Sequence, residues 1–143
     1  MEQVGSRAGR ALRRAVLRPG SPPAEPTYQA EEAPSTLHFA ALAGEQVLSV
    51  GSVMPDPHPR SPLPGDWRVR GMATREELRG RGLGAAVLAS CEQAARERGA
   101  RRLWCNARTG ARGLYERAGF AVEGGVFELP GIGPHVLMSK PLP

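Results

Sequence analysis

The sequence predicts a single α/β (α+β) domain over residues 1–143, in which helices flank one mixed sheet. A chain of 143 residues is long enough to bury one sizeable core. Its 41% hydrophobic and 23% charged residues are the proportions of an ordinary globular domain. Short apolar segments with strand character alternate with amphipathic helical segments, which is the pattern of helices packed on a sheet.

The first half of the chain is predicted to contain one helix and three strands. Small apolar residues alternate with arginines near the N-terminus, which is typical of a basic amphipathic helix. Five prolines within one later segment exclude a helix or a strand interior there. The predicted elements are a helix over 4–18, a loop over 19–34, a hairpin of strands 35–44 and 45–54 that turns at Gly44, a loop over 55–66 and a strand over 67–74.

The second half is predicted to alternate helices with strands. Glu92 and Arg96 form an i,i+4 pair on the polar side of the longer helix, and Gly99 ends that helix. The predicted elements are a helix over 82–98, a strand over 101–106, a short helix over 110–119 capped by Gly119, and strands over 120–127 and 135–140 that are separated by the turn ELPGIGP.

Net charge, apolar runs and cysteine content indicate which kinds of partner and which cellular compartment to expect. The net charge is +5 and the isoelectric point is about 10.2, which suits nucleic acid, an acidic membrane surface or a phosphorylated cofactor. No apolar run approaches the roughly 20 residues that span a bilayer, and the basic N-terminus lacks the features of a signal peptide. Because Cys91 and Cys105 do not make a disulfide framework, we expect a reduced, cytoplasmic protein with two buried thiols and no membrane partner.

The stretch RGRGLGAAVL, residues 79–88, begins the longer helix in an unusual way. A helix start normally has Ser, Thr, Asp or Asn at its N-cap and acidic residues in its first turn, and this one has neither. Its free N–H groups, with Arg79 and Arg81 beside them and glycines that remove Cβ atoms, predict a site for a di- or polyphosphate.

Two common phosphate motifs fit this stretch poorly. A P-loop requires Lys and then Ser or Thr after its last glycine, whereas Ala85 and Ala86 follow Gly84. A dinucleotide fingerprint is nominally present from Gly80 to Ala85, but REEL separates it from the preceding strand, and RRLWCN stands where the required acidic residue would end the next strand.

Residues 67–120 resemble the GNAT superfamily of N-acetyltransferases, which use acetyl-coenzyme A. The cofactor motif of that family stands here as Arg79-x-x-Gly82-x-Gly84, and its second landmark stands as Ala111-x-x-Leu114-Tyr115-x-x-x-Gly119-Phe120. The two motifs are in the correct order and are separated by a helix and a strand. RGMAT, LWCNAR and GIGPHVLM also resemble an uncharacterised bacterial branch of the superfamily, which extends the similarity over most of residues 35–140.

The resemblance implies a mostly antiparallel sheet, a cofactor-binding core over 67–120 and a set of cofactor contacts. The backbone of Met72, Ala73 and Thr74 would pair with the pantetheine arm. Backbone amides would hold the pyrophosphate, and they belong to Arg79, Gly80, Arg81, Gly82, Leu83 and Gly84. Arg108 stands where the family usually has Asn, so either Asn106 makes the pantetheine contact or Arg108 faces a phosphate. The family's opening strand is not evident in this sequence, so we expect that edge of the sheet to be short or missing.

Acetyl transfer to an amine requires a proton acceptor and an acid for the leaving thiolate. The resemblance places Tyr115 near the cofactor sulfur as the acid, whereas its spacing alone is that of a core aromatic. His135, at the start of the last strand, is the candidate base, and a structural histidine is the equally weighted alternative. We expect His38 to be buried and hydrogen-bonded and His58 to be exposed.

Other chemistry-bearing residues are assigned weaker roles. Glu123 and Glu128 could relay protons or bind the amine, although a solvated strand face is favoured for Glu123. Cys105 lies in a predicted buried strand without an adjacent histidine, so we expect no covalent catalysis. The scattered cysteines and histidines show no metal-ligand spacing.

The sequence therefore predicts an acetyl-CoA-dependent N-acetyltransferase that acts on an amine of a small molecule or peptide. Loops 19–34 and 55–66 and the turn 128–134 are expected to shape the acceptor pocket. The alternative is a non-catalytic CoA-sensing or interaction module on the same fold. A nucleic-acid partner is not expected, because aromatic residues are few and no helix-turn-helix spacing is present. A homodimer is left open.

Overall fold

The computed structural model describes residues 2–4, 35–44 and 46–143. The predicted basic helix over 4–18 and the loop over 19–34 lie outside the described residues, apart from Val4. The helix prediction is wrong for Val4, which pairs with His38 in a strand. We label the strands and the two described α-helices in chain order: β1 (Glu2–Val4), β2 (Leu37–Ala43), β3 (Gln46–Pro55), β4 (Asp66–Thr74), α1 (Leu83–Glu97), β5 (Arg102–Arg108), α2 (Arg112–Arg117), β6 (Ala121–Leu129) and β7 (Gly133–Pro141). Among these residues no helix is long and apolar enough to cross a membrane.

The described strands form one seven-stranded sheet in the order β1-β2-β3-β4-β5-β7-β6. Every neighbouring pair is antiparallel except β4 and β5, which are parallel. The opening strand β1 is present but short, since only three residues pair with β2. The predicted mixed, mostly antiparallel sheet is confirmed.

Both described helices cover one face of the sheet. The buried side of α1 carries Val87, Leu88 and Cys91, which share a core with residues of β4 and β5 such as Val69 and Leu103. Most of the buried hydrophobic residues belong to this cluster, which is therefore the main hydrophobic core. Each fully buried aliphatic side chain in it stabilises the fold by about 2 kcal/mol. The other face of the sheet therefore holds the alternate residues of each strand.

Most predicted elements are confirmed, with shifts at their ends. The hairpin of β2 and β3 turns at Gly44, and the pair between Glu92 and Arg96 forms at 3.1 Å. The predicted helix over 110–119 divides into a 3-10 turn, Thr109–Ala111, and the six-residue α2. Another 3-10 turn, Glu76–Leu78, connects β4 to the start of α1.

The proline-rich loop between β3 and β4 is fastened by a buried polar network, and the prediction that His58 is exposed is wrong. His58 is 1% exposed, and its Nε2 lies 3.0 Å from a carboxylate oxygen of Glu123. Its Nδ1 accepts hydrogen bonds from the backbone N–H groups of Arg60 and Ser61. Leu63 of this loop is exposed, so the loop is held to the protein by His58. Burial of His58 is possible because both of its ring nitrogens have hydrogen-bond partners.

Asp66 completes this network at the start of β4. Its side chain is 2% exposed and binds the guanidinium of Arg102 at 2.8 Å, and it accepts hydrogen bonds from the backbone of His58 and Leu63. Burial alone would raise the pKa of Asp66, but these hydrogen bonds outweigh it and lower the pKa to about 2. The network lies at the start of β4, whereas α1 follows the end of β4.

The lowered pKa of Asp66 predicts an acid-sensitive contribution to stability. The contribution is fully present above the usual pKa of 3.8 and is lost as the pH falls through about 2. The wild-type free energy of unfolding should therefore fall by about 2 kcal/mol more than that of Asp66→Asn between neutral pH and pH ~2. Urea unfolding at both pH values measures this, with the exposed Glu76→Gln as control. Equal acid sensitivity of wild type and Asp66→Asn would contradict the assignment.

Candidate active site

Strands β4 and β5 are paired only at their beginnings. The parallel register joins Asp66 with Arg102, Trp67 with Leu103 and Arg68 with Trp104, and no pair follows. Beyond that point the two strands continue to Thr74 and Arg108. The facing backbone edges of their second halves are therefore not bonded to each other, which leaves a cleft between β4 and β5 that a ligand with its own N–H and C=O groups can enter.

A β-bulge in β4 lies beside this cleft. Val50 pairs with Ala73 and Ser52 pairs with Arg70, so Gly71 and Met72 together face one residue of β3. Gly71 has a φ of +67°, which is the left-handed conformation that glycine adopts without strain. The bulge turns the backbone of Met72 relative to the regular pleat at the point where the strands have separated.

The end of β4 is held by a hydroxyl pair. The buried Oγ of Ser49 donates to the carbonyl of Ala73 at 3.2 Å and lies 2.7 Å from Oγ1 of Thr74. Because the Ser49 proton is used by Ala73, Thr74 donates to Ser49 and retains its lone pairs as acceptors. Thr74 also adjoins the start of α1, since a Cβ built on Gly84 would lie 3.5 Å from its Oγ1.

The start of α1 is an uncapped helix N-terminus. Gly82 is its N-cap, with φ +82°, no side chain caps it and its first turn contains no acidic residue. Ala86 donates to the carbonyl of Gly82, which begins the helical hydrogen bonds. The residues from Arg79 to Gly82 are exposed, whereas Leu83 and Gly84 are half-buried. A Cβ built on Gly80 or Gly82 would meet nothing within 4 Å, so the geometry fits a phosphate group at these amides.

Tyr115 lies on the helix-covered side of the sheet. It is 5% exposed and packs edge-to-face on Phe120, with ring centroids 5.5 Å apart. Burial raises the pKa of its hydroxyl well above the usual value, and the neighbouring thiols Cys105 and Cys91 act in the same direction. The hydroxyl therefore keeps its proton throughout the physiological pH range.

His135 lies on the opposite side of the sheet. Val136 belongs to the helix-side core, so strand alternation puts its neighbour His135 on the other face. His135 is buried, and its Nδ1 lies 2.8 Å from the carbonyl oxygen of Gly133. Since a carbonyl only accepts, Nδ1 carries the proton, and in the neutral ring Nε2 is a proton acceptor. The Phe127 ring lies 6.1 Å away at 31°.

Asn106 and Arg108 share the face of His135. Both alternate with Cys105 and Ala107, which belong to the helix-side core, and Arg108 is in register with His135 of β7. The structure thus brings these two predicted residues to the unpaired half of β5. Tyr115 reaches the sheet from the helix side, so the predicted acid and base lie on different faces.

A shallow groove runs between α1 and α2 from the first turn of α1. Its volume is about 420 Å³. Ala85, Ala89 and Leu114 give it apolar walls, while Arg117 and Lys140 contribute cations. Lys140 is also bonded to Glu92 at 2.6 Å.

The remaining candidates have structural partners. His38 is buried, as predicted, with its Nδ1 2.7 Å from the hydroxyl of Ser52. The side chain of Glu123 is 35% exposed, in line with the favoured solvated strand face, and its carboxylate also lies 3.0 Å from Nε2 of His58. Burial would raise the pKa of Glu123, but hydrogen bonds from Ser139 and His58 outweigh it and lower the pKa. Glu128 is exposed.

Sequence reasoning missed the bulge at Gly71 and the role of Ser49. A glycine within RVRGMAT was a detectable signal for a bulge, because isolated glycine within a strand marks one. Ser49 gave no signal, since its partner Thr74 is 25 residues away in sequence.

The sequence and the fold are those of a known enzyme family. Residues 9–120 match the family model described as acetyltransferase (GNAT) family. The chain is also 31% identical over 131 residues to the uncharacterized N-acetyltransferase YitI of Bacillus subtilis, a match that covers 92% of this chain and 88% of that protein. The chain therefore belongs to the GNAT acetyltransferase family and is an N-acetyltransferase of that class.

Solved structures show the same fold. The crystal structure of Escherichia coli ElaA has a TM-score of 0.79 at 15% identity, covering 97% of this chain and 97% of that one. An aminoglycoside 6'-N-acetyltransferase complexed with coenzyme A has a TM-score of 0.72 at 14% identity, covering 100% of this chain and 98% of that one. At these identities the similarity concerns the fold.

The burial of both thiols predicts that neither is a nucleophile. Cys91 and Cys105 are 0% and 1% exposed, and burial raises the pKa of Cys105 to about 12, against the opposing effect of Arg68. A disulfide reagent at mildly alkaline pH should therefore label neither thiol of the native protein, but both after denaturation. Labelling of one native thiol at the rate of free cysteine would contradict this and reopen covalent catalysis.

Proposed function

We propose that this chain transfers an acetyl group from acetyl-CoA directly to a primary amine of a small molecule or peptide. The observation that carries the proposal is the cleft between β4 and β5, which ends at the uncapped start of α1. A ligand with a peptide-like arm and a diphosphate matches both features at once. The family supports the choice of cofactor, and one structural relative is complexed with coenzyme A.

The proposed binding mode uses mainly backbone groups. Met72, Ala73 and Thr74 pair with the pantetheine arm as though it were an extra strand. The amides from Arg79 to Gly84 bind the diphosphate, where the helix dipole and the arginines favour negative charge. Asn106 or Arg108 adds a contact from β5, and the groove between α1 and α2 accepts the adenosine end.

Acetyl-CoA supplies a thioester whose carbonyl carbon an amine can attack. The C–N bond forms and the C–S bond breaks in a ternary complex. His135 Nε2 takes the proton that the amine loses, because Nδ1 is already committed to Gly133. Tyr115 gives its proton to the leaving thiolate. Its raised pKa keeps it protonated until then. Once the products leave, Tyr115 regains a proton from solvent and His135 releases the proton that it took.

Substrate access from two faces fits this assignment. The acceptor amine approaches from the face of His135, and the sulfur lies toward the helix side, where Tyr115 is buried. A non-catalytic CoA-sensing module would bind the same cofactor without turnover, so release of free CoA with a panel of primary amines distinguishes the two.

Gly82→Asp should abolish acetyl-CoA binding. The substitution adds a side chain and a negative charge where the phosphates are bound. Gly99→Asp is the matched control, because Gly99 has nearly the same φ, +83°, and equally open surroundings at the far end of α1. Thermal stabilisation by acetyl-CoA should be lost in Gly82→Asp and kept in Gly99→Asp. If acetyl-CoA stabilised Gly82→Asp as much as wild type, the proposed diphosphate site at this turn would be wrong.

Tyr115→Phe should lower kcat by about a hundredfold and change the Kd for acetyl-CoA little. The substitution removes the proton donor and preserves the edge-to-face contact with Phe120. Steady-state kinetics with an active amine, together with calorimetry of the cofactor, measure the two effects separately. Unchanged turnover would remove Tyr115 from the mechanism.

A further inference from the structure

Gly51 is the residue of β3 that faces the bulge of β4. Its neighbours Val50 and Ser52 pair with Ala73 and Arg70. Gly51 is therefore opposite both bulge residues, in the only part of β4 that shifts register among the described residues. The geometry of the bulge depends on what occupies the space next to Gly51.

That space is filled by the side chain of Met72. A Cβ built on Gly51 would overlap the Sδ of Met72, and it would lie 2.9 Å from Cγ1 of Val87 and 3.6 Å from Sγ of Cys91. Gly51 does not have a left-handed φ, so its backbone could accept alanine. The requirement for glycine comes from the thioether that packs over its Cα and from the methyl group of Val87, because both lie closer than a Cβ atom tolerates.

The atoms around this thioether cannot easily move away. Val87 and Cys91 are 0% exposed on α1, and interiors are packed so closely that one added methyl group displaces its neighbours. The half-buried Met72 is the neighbour with room to move, because it adjoins the cleft. Because the buried Val87 cannot yield, relief of both overlaps requires Met72 to rotate its side chain and the backbone at Gly51 to move, and that backbone faces the bulge.

We infer that Gly51 is a positioning residue for the cofactor: it leaves room for Met72 to fold inward and thereby sets the bulge against which the cofactor arm pairs. The inference rests on the proposed function, since the bulge matters for binding only if the arm of acetyl-CoA lies along β4. Gly51 itself does not touch the cofactor. Its effect is transmitted through Met72.

Gly51→Ala should weaken acetyl-CoA binding by at least about tenfold, because a misplacement of about 1 Å at a binding edge has effects of that size or larger. Calorimetry is done at a temperature at which circular dichroism shows wild type and variant fully folded. A variant that is merely less stable then binds with the wild-type Kd. Gly125→Ala is the control, because Gly125 has no left-handed φ and its Cβ would meet nothing within 4 Å. It should bind like wild type.

A rescue variant tests the route through Met72. Met72→Ala removes the sulfur that the new methyl group would overlap, and the space it leaves lets the new methyl group and the strand relax away from Val87. The double variant Gly51→Ala/Met72→Ala should bind acetyl-CoA within about threefold of Met72→Ala alone, so the two substitutions should be strongly non-additive. Additive losses would overturn the inference, as would a fully folded Gly51→Ala that binds with the wild-type Kd.

Failure of the proposed function would look different. If wild type itself gave no heat with acetyl-CoA, the cofactor assignment would be wrong. Whether Gly51 sets the conformation of the bulge would then be tested without ligand. Amide resonances of Gly71 and Met72 should then shift in Gly51→Ala and stay in place in Gly125→Ala. Unshifted bulge amides in folded Gly51→Ala would overturn the positional claim on its own.

Discussion

The early separation of β4 from β5 is the constraint on which the rest of the site depends. Two parallel strands that stop pairing after three residues leave polar backbone groups along both edges of a cleft in the sheet. Backbone N–H and C=O groups require partners, and a ligand with amide groups can supply them in strand-like geometry. The bulge at Gly71 and the hydroxyl pair of Ser49 with Thr74 both act on the β4 edge of this cleft.

The start of α1 complements the cleft electrostatically. A helix that lacks an N-cap side chain and acidic residues in its first turn is less stable on its own than a capped one. The diphosphate of the proposed cofactor would offset that cost. Gly80 and Gly82 both have a φ of +82°, which glycine adopts without strain. A side chain at either position would meet only open space, so the turn leaves its amides accessible to a ligand.

The helices and turns whose geometry depends on neighbouring residues were predicted correctly. The periodicity of α1, the glycine that ends it, the hairpin at Gly44 and the uncapped start of α1 all follow from residues close together in the chain, and all are confirmed. The opening edge of the sheet was expected to be short or missing, and it is the three-residue strand β1. The two sequence motifs identified the family, which the comparisons confirm.

The features that the sequence did not predict depend on contacts between residues far apart in the chain. The prolines around His58 predict an exposed loop. His58 is nevertheless buried, because it bonds to Glu123, which is 65 residues away in the sequence. The contact of Glu123 with His58 could likewise not be predicted from the residues around either one. The bulge depends on the register between β3 and β4, which no local pattern encodes. Neither register nor partnership across 25 or more residues can be derived from the spacing of residue types alone.

Backbone amide spectra during a titration with coenzyme A test the central claim most directly. If the amides from Arg79 to Gly84 bind the diphosphate and the edge of β4 binds the arm, the largest saturable shifts will fall on Met72 to Thr74 and Arg79 to Gly84. Amides of the Asp66 network at the start of β4 will move little. Saturable binding with its largest shifts elsewhere, or no binding at all, would contradict the account.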